Sequence, residues 1–284
     1  MSAIAPSVGS APIYLPQRRT IRIPVGRRPN DVVIAAAYTA AGIILLLALW
    51  QVAALLAGKD LPGPAKGLTV FWKLISNPLY NKGPNDKGIA LQLFSSLGRV
   101  FTGFGLASLV AIPLGFLMGA SSPGRRLLYP IVQILRPVSP LAWFPIGLAT
   151  FKAAGTATIF VIFITSLWPT LINTAFGVMS LAEDHRNVAR VFEFSRWKYV
   201  TRVLLPFSLP HVLTGLRLSM GVAWMVIVAA EMLAGGMGIG FFVWDSWNAL
   251  SLERVLSAIL IIGVVGLALD RAFDWVGQRF AYGS

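Results

Sequence analysis

Residues 33–57 read VIAAAYTAAGIILLLALWQVAALLA without one charged side chain. About 20 consecutive apolar residues let a helix cross the hydrocarbon layer of a bilayer, and a run this long has no place on a water-facing surface. The pattern recurs at about 98–120, 127–152, 156–178, 211–235 and 255–276, which predicts about six membrane-spanning helices. Composition agrees. Only 12% of the 284 residues are charged and mean hydropathy is +0.72, whereas a soluble domain carries about 25% charged residues. The expected fold is an all-α integral membrane domain over 33–284, preceded by a flexible polar tail over 1–32.

The net charge of +13 would suit a nucleic-acid binder, but the Lys and Arg residues gather in loops between apolar runs, as membrane topology requires. No basic patch with interleaved aromatics appears, so nucleic acid is not an expected partner. The chain has no cysteine and only two histidines, His185 and His211. Disulfides and thiolate chemistry are excluded, and a His-based metal site lacks suitably spaced carboxylates. Nucleophile-elbow, zinc-protease and phosphate-loop motifs are all missing. No catalytic residue, metal or cofactor is expected in this chain.

Orientation follows from loop charge. The tail carries Arg18, Arg19, Arg22, Arg27 and Arg28 without the apolar core and cleavage site of a removable signal. With a cytoplasmic amino terminus, the cytoplasmic loops hold Arg125, Arg126, Arg186, Arg190, Arg196, Lys198 and Arg202. Anionic lipid headgroups are a natural partner for the tail. In the long 58–97 loop, the amphipathic pieces 67–75 and 89–101 are expected to lie in the outer interface. Trp50, Trp168, Trp244 and Trp275 read as interface anchors, and Gly235, Gly236, Gly238 and Gly240 as a tight turn or re-entry after the fifth span. Among the charges, Arg217 is expected to snorkel to the cytoplasmic interface. Arg99 and Glu231 should emerge together at the outer side as an ion pair, so that exchanging the two charges restores assembly.

Between the fourth and fifth spans, residues 181–206 are too charged for hydrocarbon yet keep helical periodicity. Val188, Val191 and Phe192 share one side, with Arg186 and Arg190 one turn apart nearby. Periodicity alone leaves two readings open: an ordinary amphipathic cytoplasmic loop, or a helix–turn–helix offering an apolar knob ringed by cations to another protein.

Here the residues resemble a family. Permeases of binding-protein-dependent ABC importers carry Glu-Ala-Ala-x-x-x-Gly, nine residues, then Ile-x-Leu-Pro. This chain has Asn187, Val188 and Ala189, then Glu193 in the glycine place, then Val203-Leu204-Leu205-Pro206. The blocks LRPVSPLAWFPIGL at 135–148 and AEMLAGGMGIG at 230–240 are similar to the branch importing sulfonates, taurine, nitrate and bicarbonate. The Asn and Glu replacements, the WDSWN run at 244–248 and the Arg-rich tail resemble the nitrate/nitrite members most, with bicarbonate members next and sulfonate members further off.

The resemblance implies a type I importer permease of the inner (plasma) membrane. Its expected partners are ATP-binding subunits that hold ATP and Mg, an extracytoplasmic substrate-binding protein, and a second permease copy, as a homodimer by default. It implies a coupling helix around 186–195, whose docking residues are Arg186, Asn187, Val188, Ala189, Arg190, Phe192 and Glu193, followed by Leu205 and Pro206. Because Glu193 replaces the glycine that tolerates a left-handed backbone, the helix is expected to continue there, with Glu193 pairing to Arg190 or Arg196. An anion path through hydrocarbon needs donors that replace water. The region broken by Pro130, Pro137, Pro140 and Pro145 is the expected supplier, because irregular backbone at membrane depth lines cavities. Arg136, Ser139, Trp143, Asn173 and Thr174 are the candidate lining, near the cytoplasmic half of the path. The alternative is that Arg136 snorkels and Ser139 bonds back to its own helix.

Overall fold

The structure, a computed structural model, describes residues 29–58, 61–83, 86–181 and 191–280, without the side chains of 29–32 and 196. Among these residues every extended element is helical. The chain forms two units, 1–52 and 53–284. In the first lies most of α1 (Pro29–Leu56), apolar on all its faces. The second contains α2 (Pro64–Ser76), α3 (Ile89–Ala120), α4 (Ser122–Leu135), a 3-10 turn (Pro140–Trp143) and α5 (Phe144–Phe151). It continues with α6 (Ala154–Met179), α7 (Arg196–Tyr199), a π-helical turn (Val200–Leu204), α8 (Leu205–Ala234), α9 (Ile239–Asn248) and α10 (Leu252–Phe280).

Five stretches are long and apolar enough to cross a membrane: Val33–Leu56, Ile89–Ala120, Ala154–Met179, Trp197–Ala234 and Leu252–Phe280. The sixth expected span is a pair, Ser122–Leu135 with Pro140–Phe151, bent by 97°. Pro137 and Pro140 explain the bend, since neither can donate to the helical ladder. The 89–101 piece is the amino-terminal part of α3 and not a separate interfacial helix. The other piece does form an amphipathic helix, α2, but its buried face packs into the bundle. Leu74, Val70 and Phe71 join the cluster of Ile89, Val100, Ile162, Ile227 and Ile261, and Ser257 Oγ of α10 donates to the Gly67 carbonyl at 3.0 Å.

The bundle is centred on α6, which packs against α3 on one side and α8 on the other. In hydrocarbon no hydrophobic force pushes helices together, so close backbone approach must do it. On α3 the residues at the seam recur every fourth position: Gly103, Ala107, Ala111 and Gly115, all buried. A Cβ at Gly103 would stand 2.8 Å from the Ile162 side chain, and one at Gly115 2.6 Å from Thr174. The α6–α8 seam is polar instead. Ser219 Oγ donates to the Ser166 carbonyl at 2.6 Å and accepts from the Thr170 N–H at 3.1 Å, with Thr170 Oγ1 2.7 Å away. The hydroxyl thus inserts into the α6 ladder beside Pro169, where the helix has already lost a donor.

At the other end of α8 sits the densest polar knot. Glu231, 1% exposed, accepts from Arg99 Nη1 at 2.6 Å, from Ser96 Oγ at 2.8 and 2.9 Å, and from the Gly240 N–H at 3.0 Å. Arg99 Nη1 also donates to the Met237 carbonyl at 2.6 Å. Gln92 Oε1 accepts from the Gly238 N–H, and Ser96 Oγ from the Ile239 N–H, at 2.7 and 2.8 Å. The expected ion pair is therefore present, within a knot that ties α3 to the turn after α8. The expected glycine turn is there too, with positive φ at Gly235, Gly236 and Gly238. A Cβ at Gly238 would collide with the Glu231 carboxylate, and one at Gly240 with the Val228 carbonyl. A short helix, α9, comes next, which sequence periodicity did not single out.

Arg217 does not simply snorkel. It is bidentate to Asp270, through Nε at 2.7 Å and Nη2 at 2.8 Å, and reaches Asp274 through Nη1 at 2.5 Å. This pins α8 to α10.

The knot revises the charge-exchange expectation. An arginine at 231 would face the Gly240 N–H and the Ser96 hydroxyl, both held as donors, so the exchange should not restore assembly. Glu231→Ala leaves Arg99 uncompensated and should cost about 3–5 kcal/mol. Thermal unfolding of the purified protein in detergent checks both: the single and the exchanged variants should melt well below wild type. An exchanged variant of wild-type stability would refute the knot.

Candidate functional site

Two regions stand out. The first is a cleft of about 270 Å3 at the bend, lined by Arg136, Val138, Pro140, Trp143, Ile164, Thr165, Trp168, Pro169 and Val222. Arg136 caps the carboxyl end of α4, where the prolines turn the chain. Trp143 ends the 3-10 turn and packs against Phe144, Ala157, Val161 and Val226. Thr165 and Trp168 lie near the middle of α6. At a rise of about 1.5 Å per residue, they sit some 15–20 Å from either helix end. The cleft thus lies beside the middle of α6. Trp168 consequently lines the cleft and is no interface anchor.

Of the expected lining residues, Arg136 and Trp143 come together here. Ser139 is exposed at the bend, between the lining residues Val138 and Pro140. Asn173 and Thr174 do not join them. Asn173 Nδ2 donates to the Pro169 carbonyl at 2.8 Å and its Cβ faces Gly215 of α8. Thr174 is fully buried in the α3–α6 seam against Gly115. Sequence reasoning missed Thr165, Pro169 and Val222. A proline within the apolar α6 run was the available signal, since it marks where a membrane helix departs from ideal geometry.

Two of the lining residues, Arg136 and Trp143, carry groups of chemical note. The Arg136 guanidinium has no carboxylate partner among the described residues, unlike Arg99 and Arg217. The Trp143 indole Nε1 is buried and has no hydrogen-bond partner among the described residues. Thr165 Oγ1, by contrast, donates to the Val161 carbonyl at 2.7 Å.

The second region is the surface just before α8. Val191, Phe192 and Trp197 are 80%, 69% and 77% exposed; Val191 and Phe192 precede the Trp197–Ala234 stretch, and Trp197 is its first residue. Glu193 takes a left-handed conformation, φ +46°, so the helix ends there and does not continue as the missing glycine suggested. A non-glycine residue in that conformation costs about 1–2 kcal/mol. Three contacts around it help to hold the turn. Phe192 and Phe194 rings lie 6.4 Å apart, Lys198 Nζ stands 4.4 Å over the Phe194 ring, and Ser195 Oγ accepts from the Lys198 N–H at 3.3 Å. Leu204 anchors the segment, buried with Val178 and Leu181, while Leu205 and Pro206 are exposed beside it. The other expected docking residues, Arg186, Asn187, Val188, Ala189 and Arg190, lie outside the described residues.

Residues 111–282 match the family of binding-protein-dependent transport system inner membrane components, and the chain belongs to it. A nitrate import permease protein, NrtB, of Synechocystis is 45% identical over 232 residues, covering 82% of this chain and 84% of that one. A bicarbonate transport system permease protein, CmpB, of Synechococcus elongatus is 42% identical over 246 residues, covering 84% and 87%. The fold is similar to a solved inward-facing structure of the MetNI methionine ABC transporter, with a TM-score of 0.62, 13% identity, and 68% and 96% coverage.

Proposed function

We propose that this member of the family is the membrane-spanning permease subunit of an ATP-driven importer of nitrate and nitrite in the inner membrane. The observation that carries the substrate is its likeness to nitrate import permeases along most of both chains. A bicarbonate importer is the second reading, favoured by the slightly lower likeness to a bicarbonate permease.

In this reading the chain itself makes and breaks no bond. ATP and Mg are bound by partner ATPase subunits, an external binding protein delivers the anion, and a second copy of the chain closes the path. The exposed Val191, Phe192 and Trp197 form the apolar end of the coupling segment and seat in the ATPase subunit. The left-handed turn at Glu193 sets the direction in which they project, and Leu204 roots them against α6. Closure of the ATPase pair on ATP then moves the coupling segments, and the bundles rock about a central site to alternate access. The cleft at Arg136 and Trp143 is part of that path. The amino terminus is cytoplasmic, which places Arg125, Arg126, Lys198 and Arg202 on the cytoplasmic side with the ATPases.

The test is ATP hydrolysis by the complex of this chain with its ATPase subunits in liposomes, with binding protein present. Nitrate or nitrite should stimulate hydrolysis while bicarbonate and taurine do not. Stimulation by bicarbonate instead would establish the second reading. Within the same assay, Phe192→Asp should lower stimulated hydrolysis about tenfold or more, because a charge is forced into a desolvated contact. Glu193→Gly, which the turn accommodates without strain, should retain it, and Glu193→Val, which the turn disfavours, should lose it.

A further inference from the structure

We propose that Ser219 of α8 is a positioning residue for transport: its hydroxyl fastens α8 to the break in α6, so that the cleft wall follows the coupling segment. The inference rests on the import function above and assigns the joint through which movement at the ATPase face reaches the path.

Pro169 has no N–H, so the Thr165 carbonyl lacks the donor that a regular helix would supply one turn on. The next rung of the α6 ladder joins the Thr170 N–H to the Ser166 carbonyl. Ser219 Oγ is bonded to both of these groups, accepting from the first at 3.1 Å and donating to the second at 2.6 Å. One rung is thus missing and the next is completed from α8. A side chain set into the ladder in this way marks a point where a helix bends. The two backbones are also close here. A Cβ at Gly215, one turn before Ser219, would stand 3.1 Å from Thr170 Cα and 3.2 Å from the Pro169 carbonyl oxygen. Ser219 and Thr170 are both fully buried, so their bonds face no competition from bulk water.

The break lies between the coupling segment and the cleft. Thr165, Trp168 and Pro169 line the cleft from α6, and Val222, one turn beyond Ser219, lines it from α8. In the other direction α8 begins at Leu205, directly after the buried Leu204 that roots the coupling segment. A displacement at Leu204 is carried about 20 Å along α8 and passes to α6 at Ser219. Further along α8, Val222 and Val226 share an apolar cluster with Trp143, Phe144, Ala157 and Val161. Apolar contacts of that kind have no directional preference and permit sliding, whereas the hydrogen bonds of Ser219 fix the register of α8 on α6.

The experiment measures nitrate uptake and ATP hydrolysis in the same liposomes, with binding protein present, for complexes of wild type, Ser219→Ala, Ser219→Thr and Ser219→Val. Wild type alone shows whether the import function holds, and the variants test only the joint. In Ser219→Ala the Thr170 N–H and the Ser166 carbonyl still have each other, so the complex should assemble and melt close to wild type. Its stimulated hydrolysis should stay within about twofold, while nitrate imported per ATP falls about fivefold or more, the effect of one hydrogen bond. Loss of a merely structural residue would lower both rates together and leave their ratio unchanged. Ser219→Thr keeps the hydroxyl and should keep the wild-type ratio. Ser219→Val differs from it chiefly in lacking the hydroxyl, and should lose coupling as Ser219→Ala does. In a complex that imports nitrate, a wild-type ratio in Ser219→Ala would overturn the joint. Equal ratios in Ser219→Thr and Ser219→Val would also do so, and that comparison decides alone should Ser219→Ala fail to assemble.

Discussion

Hydrocarbon offers no hydrogen-bond partner to a peptide group or a polar side chain, so whatever a membrane helix buries must be answered by another helix. That constraint organises the bundle. Ser219 of α8 bonds to both sides of the gap in the α6 ladder next to Pro169. Glu231 draws together Arg99, Ser96 and the Gly240 N–H, and Arg217 holds two aspartates of α10. Each contact ties two elements and lets neither slide without leaving a polar group bare. Where the contacts are apolar, as between α3 and α6, the small residues at every fourth position give the same result through close backbone approach.

These ties fall on α3, α6, α8, α9 and α10, and the bent pair α4–α5 is held differently. Its link to α6 runs through Phe144, Ala157 and Val161 and through the cleft walls, with no ion pair among the described residues. The bend brings Arg136 and Trp143 to the wall of the cleft beside the middle of α6. The coupling surface repeats the arrangement on the cytoplasmic side in this reading: Leu204 is rooted in the bundle, while Val191, Phe192 and Trp197 are left without cover.

Much of this was legible in the residues. Uncharged runs of membrane length predict spans because hydrocarbon tolerates little else, and the four prolines of 130–145 mark the interrupted one. Arg99 and Glu231 were expected to meet because both emerge at the same depth. The ladder geometry around them was not legible, since Gly238 and Gly240 act through backbone N–H groups that carry no side-chain signature. Asn173 and Thr174 were misplaced for a related reason: in a membrane helix a polar residue faces another helix as readily as a path, and Gly115, which admits Thr174, lies far off in sequence. At Glu193 local propensity argued for a continuing helix, and the local Lys198–Phe194 contact together with the anchoring of Leu204 against Val178 and Leu181 outweighed it.

The central claim is that the bent pair and α6 enclose a water-accessible path. The chain has no cysteine, so single thiols can be placed in it without a background. Val138→Cys, in the cleft, is compared with Leu109→Cys, on the exposed side of α3, for reaction with a membrane-impermeant thiol reagent in the reconstituted complex. The account predicts that Val138→Cys reacts, from one side of the membrane without nucleotide and from the other when ATP is trapped, while Leu109→Cys stays inert in lipid. A thiol at 138 that is as unreactive as one at 109 in both states would contradict it.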